Sequence, residues 1–355
     1  MLPVGRAAPV LVALGVVAAL VPRPEAVVER VYAGGLYPTI QAVLTTASNA
    51  VPVAVFDVVL VAALVVVLLT LGRAWRRWRT GGPRSAIGPA LWRLGAIGAV
   101  AYLWFLAAWG LNYSRPPLDV RLGLPPGVPT AGEVRALLDE AVTQANREHA
   151  AARAPRARPY RAEEDLARRW PAVDAALGRP HPTVPGRVKP TLLAAYFRMA
   201  GVDGLTAPLA LETLLNPDLV DVERPFTLAH EWAHLAGHAP EADANFVAWQ
   251  VTSPPEADPV TRYSGWLFLL SEAAQQVPAA ARREALAALA AGPRDDLAAI
   301  ARRQAARVAV VERVGWRVYD SYLRSQGVAE GVASYSRVIE LIVRARRGRT
   351  APVPQ

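Results

Sequence analysis

Cysteine is absent from this chain, and lysine occurs once, at Lys189. Without thiols there is no disulfide framework, and any bound metal must be held by His, Asp or Glu. An absence of thiols is compatible with an oxidising compartment. Histidine is scarce too, with five residues in 355. Charged residues make up only 19% against 53% hydrophobic, and the mean hydropathy is +0.19. Because 39 Lys and Arg are nevertheless present, the apolar residues must be concentrated in segments. The formal net charge is +9, but nine Arg against Glu25, Glu29 and Asp57 place +6 of it in residues 1–111. The other 244 residues carry 30 basic and 27 acidic groups, too even a balance for a nucleic-acid face, so no nucleic-acid partner is expected.

What is present, first, is a set of long apolar runs: Ala7 to Val21, Val53 to Thr70 and Leu94 to Leu111. A spanning helix needs ~20 mostly apolar residues, which the second and third supply. The first is shorter and follows Arg6, so a signal peptide is its alternative, but Val-Pro-Arg-Pro-Glu after it offers no small-x-small cleavage site. The expectation is a membrane domain over residues 1–111 with three transmembrane helices in a lipid bilayer. Arg73, Arg76, Arg77, Arg79, Arg84 and Arg93 lie between the second and third runs with no acid among them. The positive-inside rule puts that loop in the cytoplasm and everything after Asn112 outside, with Trp104, Trp109 and Tyr113 at the outer interface.

A Pro-rich linker (112–130) leads to a domain at 131–350. Helical spacing runs over Ala131 to Arg153 and around Glu163 to Leu177. The apolar run Leu205 to Leu215 reads as a strand, with Glu212 beside it. Ala273 to Ala291, Asp295 to Leu323 and Gly331 to Arg347 read as helices. The fold class expected is mainly α, an α-rich zincin-like soluble domain with at most a small sheet.

The informative segment is Phe226-Thr-Leu-Ala-His230-Glu231-Trp-Ala-His234-Leu-Ala-Gly237-His238-Ala-Pro240-Glu241-Ala-Asp243-Ala-Asn245-Phe246. His230 and His234 are four apart, so on a helix both imidazoles share one face, as two nitrogens on one tetrahedral Zn2+ require. Glu231 beside the first ligand is placed as general base. Gly237 and Pro240 end this helix and start another. On the second helix Glu241 and Asn245 share a face, and Asp243 points about 200° away. Glu241 is therefore the expected third ligand and Asn245 a hydrogen-bonding partner for a ligand histidine. Asp243 and His238 are the alternatives.

The string HEWAHLAGHAPEADANF resembles the signature of an uncharacterised bacterial membrane family, domain of unknown function 3810. Further stretches are similar: Trp109 to Tyr113, Gly201 to Glu212, Arg224-Pro-Phe-Thr, Arg262 to Gly265, Tyr319 to Leu323 and Gly331 to Tyr335. The family usually has Glu where this chain has Asp243 and an aromatic where it has His238, which implies that neither is an obligatory ligand. The Glu-x-x-Ala-Asn element is similar to the Glu-x-x-Ala-Asp of membrane gluzincins such as the prenyl-protein proteases, whose Glu is the third ligand; this implies the same role for Glu241.

The expected function is a membrane-anchored zinc metallopeptidase of the bacterial cytoplasmic membrane, its catalytic domain on the extracytoplasmic side, hydrolysing a peptide or protein substrate. Arg262, Tyr263 and Tyr322 are candidate donors to the tetrahedral oxyanion. The run Leu205 to Leu215 is a candidate edge strand for a substrate peptide. Two alternatives are a non-enzymatic envelope protein with a structural or vestigial metal site, and a membrane-surface module using the C-terminal arginines. Structural zinc sites need no general base, so Glu231 favours the enzyme.

Overall fold

The computed structural model describes residues 4–350 except Arg156, Pro180 and residues 327–336. Helix α1 (Val4–Leu20) ends before Pro22 and Pro24. The chain then stays helical from Glu25, through a π-helical run Val28–Leu36, into α2 (Tyr37–Asn49). Two apolar helices follow, α3 (Val55–Gly81) and α4 (Pro83–Ala108). Gly82 turns between them at φ 78°, a left-handed value that glycine takes without strain.

Helices α3 and α4 are long and apolar enough to cross a membrane, and only 11% of each apolar window is buried inside the protein. Their exposed Val and Leu side chains suit lipid. Helix α1 lies parallel to α4, since Gly95 meets Val12 and Gly15 meets Ala99. It has 17 residues and is bent by 108° against the helical stretch after it, so a third crossing depends on taking that pair as one broken span.

The stretch between the first two apolar runs is helical and packs against the elements beyond residue 131. Gln41, Thr45 and Ser48 repeat at helical spacing, so one polar face of α2 turns inward. Gln41 exchanges hydrogen bonds with the backbone of Val184 at 2.8 and 3.0 Å, and Thr45 donates to Leu211 O at 3.0 Å. Val28, Tyr32, Tyr37 and Trp109 share one apolar core with helices beyond residue 131. Residues 1–111 and 131–350 therefore do not pack as two separate bodies.

Beyond the membrane helices, α5 (Ala131–Arg153) opens with a capping box between Thr130 and Glu133. Helix α6 (Ala162–Ala176), strand β1 (Val188–Lys189) and helix α7 (Ala194–Ala200) follow. The run at 205–215 resolves into a hairpin, β2 (Gly204–Ala207) and β3 (Glu212–Leu215). Strand order is β1-β3-β2, with β1 parallel and β2 antiparallel to β3, so β2 is an edge.

Glu212 is not solvated. It is 1% exposed, pairs with Lys189, accepts from Ser48 Oγ at 3.0 Å, and takes the N–H groups of Val55 (2.9 Å) and Phe56 (2.8 Å). Burial raises its carboxyl, but these donors outweigh that and hold it below the usual range. Glu212 thereby caps the first turn of α3 and ties a membrane helix to the sheet.

The remaining helices are α8 (Arg224–Leu235), α9 (Glu241–Thr252), α10 (Pro259–Gln275), α11 (Ala279–Ala287), α12 (Ala291–Ala305), α13 (Ala309–Ser325) and α14 (Arg337–Thr350). The two long Ala-rich helices expected from patterning are each broken. Pro278 drives Val277 out of helical backbone. At Val308 the N–H leaves the helical ladder for Met199 O at 2.9 Å. The expected start of the last helix at Gly331 lies outside the described residues. Its arginines are ion-paired, Arg344 with Asp119 at 2.8 Å, Arg346 with Glu140, and Arg347 with Glu133 at 2.6 Å. These three clasp α14 to the domain and are not a free basic patch.

Glu272 on α10 has burial as its sole perturbation, which pushes its carboxyl up to about 7. The folded chain thus binds this proton more tightly than the unfolded one. The stability this brings is complete below the unfolded value of 4.5 and is lost as pH rises through about 7. Glu272→Gln is expected to gain about 1–2 kcal/mol at pH 8, discounted for residual solvent. Thermal melts should show a few degrees of gain at pH 8 and almost none at pH 5.

Candidate metal centre

Helix α8 is fixed at both ends before any metal is considered. Pro225 occupies its first turn, where a missing N–H is harmless. Its last carbonyls would be orphaned, yet each has a donor. Trp109 Nε1 donates to His234 O at 2.9 Å, Tyr37 Oη to Leu235 O at 2.8 Å, Arg179 to Ala236 O, and Arg115 Nη1 to Gly237 O at 3.0 Å. The two guanidiniums also complement the negative end of the helix dipole. Tyr37 and Trp109 come from the membrane-side segments, so those segments set the orientation of the His230–His234 face.

Gly237 then takes φ 83° and Pro240 leads into α9, as the spacing predicts. This turn brings Glu241 back over the histidines. His230 Nε2 lies 3.1 Å from His234 Nε2 and 3.1 Å from Glu241 Oε2, and His234 Nε2 lies 3.6 Å from the same oxygen. The outer ring nitrogens are held from behind. His230 Nδ1 meets Asn245 Oδ1 at 2.8 Å, and His234 Nδ1 donates to His238 O at 2.8 Å. A carbonyl oxygen can only accept, so the proton sits on Nδ1 and the Nε2 lone pair faces the centre.

Two imidazole lone pairs and a carboxylate oxygen therefore converge, an arrangement that repels itself unless a cation lies between them. Their separations match the ~3.4 Å edge of a tetrahedron built on ~2.1 Å bonds. His230, His234 and Glu241 can hold a metal ion. Without one, a proton does the same work. Burial pushes His234 down, but the attraction of Glu241 outweighs it and lifts the imidazole to about 9. Burial raises Glu241, and the two imidazoles overcome this to hold it well below the ordinary carboxylate range.

Glu231 points to the neighbouring strand. Thr206 Oγ1 on β2 donates to its Oε2 at 2.9 Å and lies 2.8 Å from its carbonyl oxygen. A side chain at Gly204 would collide with Oε1, so glycine lets the edge strand pass directly against this carboxylate. Burial raises the carboxyl of Glu231, opposed by both histidines and by Thr206. The group is thus poised to hold a proton more readily than a surface glutamate.

Both alternatives to Glu241 point elsewhere. Asp243 lies 3.5 Å from Arg121. Burial, only partly opposed by Arg121, pushes its carboxyl up to about 6. The His238 ring is buried with no hydrogen-bond partner on either nitrogen, and contributes to the cluster through its backbone oxygen alone. Burial, reinforced by Arg121, Arg115 and Arg179, keeps it neutral.

Arg262 is committed to Glu148 at 2.8 Å, and Tyr263 donates to Asp296 at 2.7 Å. Neither acceptor belongs to the His–Glu cluster. Tyr322 on α13 packs edge-on to Tyr113 and Phe105 beside the cluster. The residue that reaches the centre is Tyr319, one turn earlier on α13, whose hydroxyl donates to Glu241 Oε1. It leaves Oε2 to the histidines. The i, i+3 spacing of two tyrosines on one helix was the available signal, but nothing local says that α13 lies over the His–Glu cluster.

The family described as "Protein of unknown function (DUF3810)" matches residues 32–343. The chain belongs to this family. No curated protein and no solved structure matches it. The DUF3810 match begins inside the π-helical run before α2, well before the histidine motif. It therefore takes in Tyr37 and Trp109, which cap the C-terminal end of α8, and Glu212, which caps α3.

Proposed function

We propose that this protein is a membrane-anchored, zinc-dependent metallopeptidase. The observation that carries the reading is Glu231, a buried carboxylate next to His230, held by Thr206 and used by no structural ion pair among the described residues. A metal that merely joined α8 to α9 would need only the three ligands. Zinc suits this donor set of two imidazoles and one carboxylate, and when bound it polarises a carbonyl and lowers the pKa of water toward ~7.

The chain's own residues supply the rest. His230 and His234 keep Nε2 turned inward because Asn245 and His238 O hold Nδ1. Glu231 takes the proton of the attacking water and hands it to the leaving amine. The free edge of β2 offers backbone groups to an extended peptide, and its Gly204–Thr206 segment lies beside Glu231. Tyr319 meets Glu241 and stacks on Tyr322, and Tyr322 remains the candidate oxyanion donor.

The test uses purified full-length protein on a peptide library. Hydrolysis should cease on chelation and return with zinc. Stoichiometric zinc without any hydrolysis, across broad libraries, would favour a structural metal.

On this reading the chain crosses the bacterial cytoplasmic membrane three times, with the arginine-rich end inside and the catalytic domain extracytoplasmic. Nothing acidic balances the six arginines at 73–93. A reporter active only outside should be silent when fused after Thr80 and active when fused after Tyr113. The opposite pattern would move the substrate to the cytoplasm.

A further inference from the structure

We propose that the end of the membrane bundle remote from the metal centre binds the phosphate of an anionic phospholipid. A cavity of about 510 Å³ opens there between α1, α3 and α4. It is lined by Arg73 and Arg77, one turn apart on α3, and by Arg93 and Trp92 on α4. Pro9 in α1 and Gly88-Pro89 in α4 form its other walls. Prolines inside helices break the hydrogen-bond ladder, and Gly88 has no side chain to fill the space.

The charge at this place is uncompensated. No acidic residue occurs between Asp57 and Asp119. None lines the cavity, and Arg73, Arg77 and Arg93 make no salt bridge among the described residues. Three arginines from two helices line this one space with no acidic side chain among them. General inward bias explains arginines in a loop, but it does not require three of them to face one cavity between helices. An anion would balance this charge, and a phosphate diester matches the planar fork of guanidinium donors.

Position selects a lipid over a free ion. Arg73 lies eighteen residues into α3, about 27 Å from its sheet-docked end at 1.5 Å per residue, close to the ~30 Å of a hydrocarbon core. The arginines therefore sit at headgroup level. Beside them Leu69 (51%) and Leu91 (64%) are exposed, offering acyl chains an apolar surface continuous with the cavity. Basic pockets between membrane helices are where anionic headgroups bind.

The experiment compares full-length protein with two triple variants of equal charge. One removes the cavity, Arg73→Gln/Arg77→Gln/Arg93→Gln; the other removes neighbours outside its lining, Arg76→Gln/Arg79→Gln/Arg84→Gln. Each is reconstituted with phosphatidylglycerol and phosphatidylcholine, washed in detergent, and assayed for retained lipid by native mass spectrometry. Thermal melts verify the fold. Wild type and the outer triple should retain phosphatidylglycerol selectively, and the cavity triple should bind it about 100-fold more weakly. Equal loss in both triples, or equal retention of phosphatidylcholine, overturns the proposal. So does displacement of the lipid by millimolar inorganic phosphate but not chloride, which would make the cavity a free-phosphate site. None of these readouts depends on the peptidase reading.

Discussion

Replacing His230 or His234 by Ala is expected to abolish stoichiometric zinc binding, because two remaining ligands cannot hold the ion in a closed site. Glu241→Ala should weaken it strongly, since Oε2 is the third donor, 3.1 Å from His230 Nε2. Asn245→Ala should cost about 10–100-fold, the usual effect of freeing a ligand imidazole from its supporting hydrogen bond. Asp243→Ala and His238→Ala should retain the metal. Asp243 faces Arg121, and His238 contributes only its backbone oxygen, which alanine keeps. Metal content after dialysis, with a melt to verify folding, separates these cases. An empty site in Asp243→Ala beside a full one in Glu241→Ala would reverse the assignment. Binding should also strengthen with rising pH. His234 carries a proton up to about 9 without metal, and that proton must leave for the ion to enter.

The convergence of His230, His234 and Glu241 was legible because their spacing is local. Four residues on a helix put two imidazoles on one face, and Gly237 with Pro240 announced the turn that returns Glu241. The long apolar helices α3 and α4 were legible for a similar reason, since predominantly apolar runs approaching the ~20 residues of a span have few other readings. What failed to show was long-range polar pairing. Gln41, Thr45 and Ser48 look like a soluble linker until their partners Val184, Leu211 and Glu212 are known. The burial of Glu212 is hidden for the same reason, because Lys189, its partner, is 23 residues away. Tyr319 could not be seen as a partner of Glu241, 78 residues distant, and Arg262 and Tyr263 could not be seen to be committed to Glu148 and Asp296. Helix breaks at Pro278 and Val308 fell where alanine keeps helical patterning running on.

The sharpest separation of enzyme from scaffold is Glu231→Gln. Glutamine keeps the shape of the side chain and can still meet Thr206 Oγ1, which lies 2.9 Å from Oε2. It cannot take a proton, so it removes the general base and little else. Zinc content should stay at wild-type level, because His230, His234 and Glu241 are untouched. Peptide hydrolysis is expected to fall about 10²–10⁴-fold, the range for a positioned general base. Tyr319→Phe is the informative companion. Its hydroxyl meets Glu241 Oε1, so its loss should loosen the ligand and lower zinc affinity, with activity restored when zinc is raised. Glu231→Gln should show no such rescue. A Glu231→Gln protein that hydrolyses peptides at the wild-type rate would take the base away from this residue. If zinc is lost together with activity, Glu231 is holding the site and not turning over substrate. Only retained metal, lost turnover and no rescue by zinc together mark Glu231 as the base.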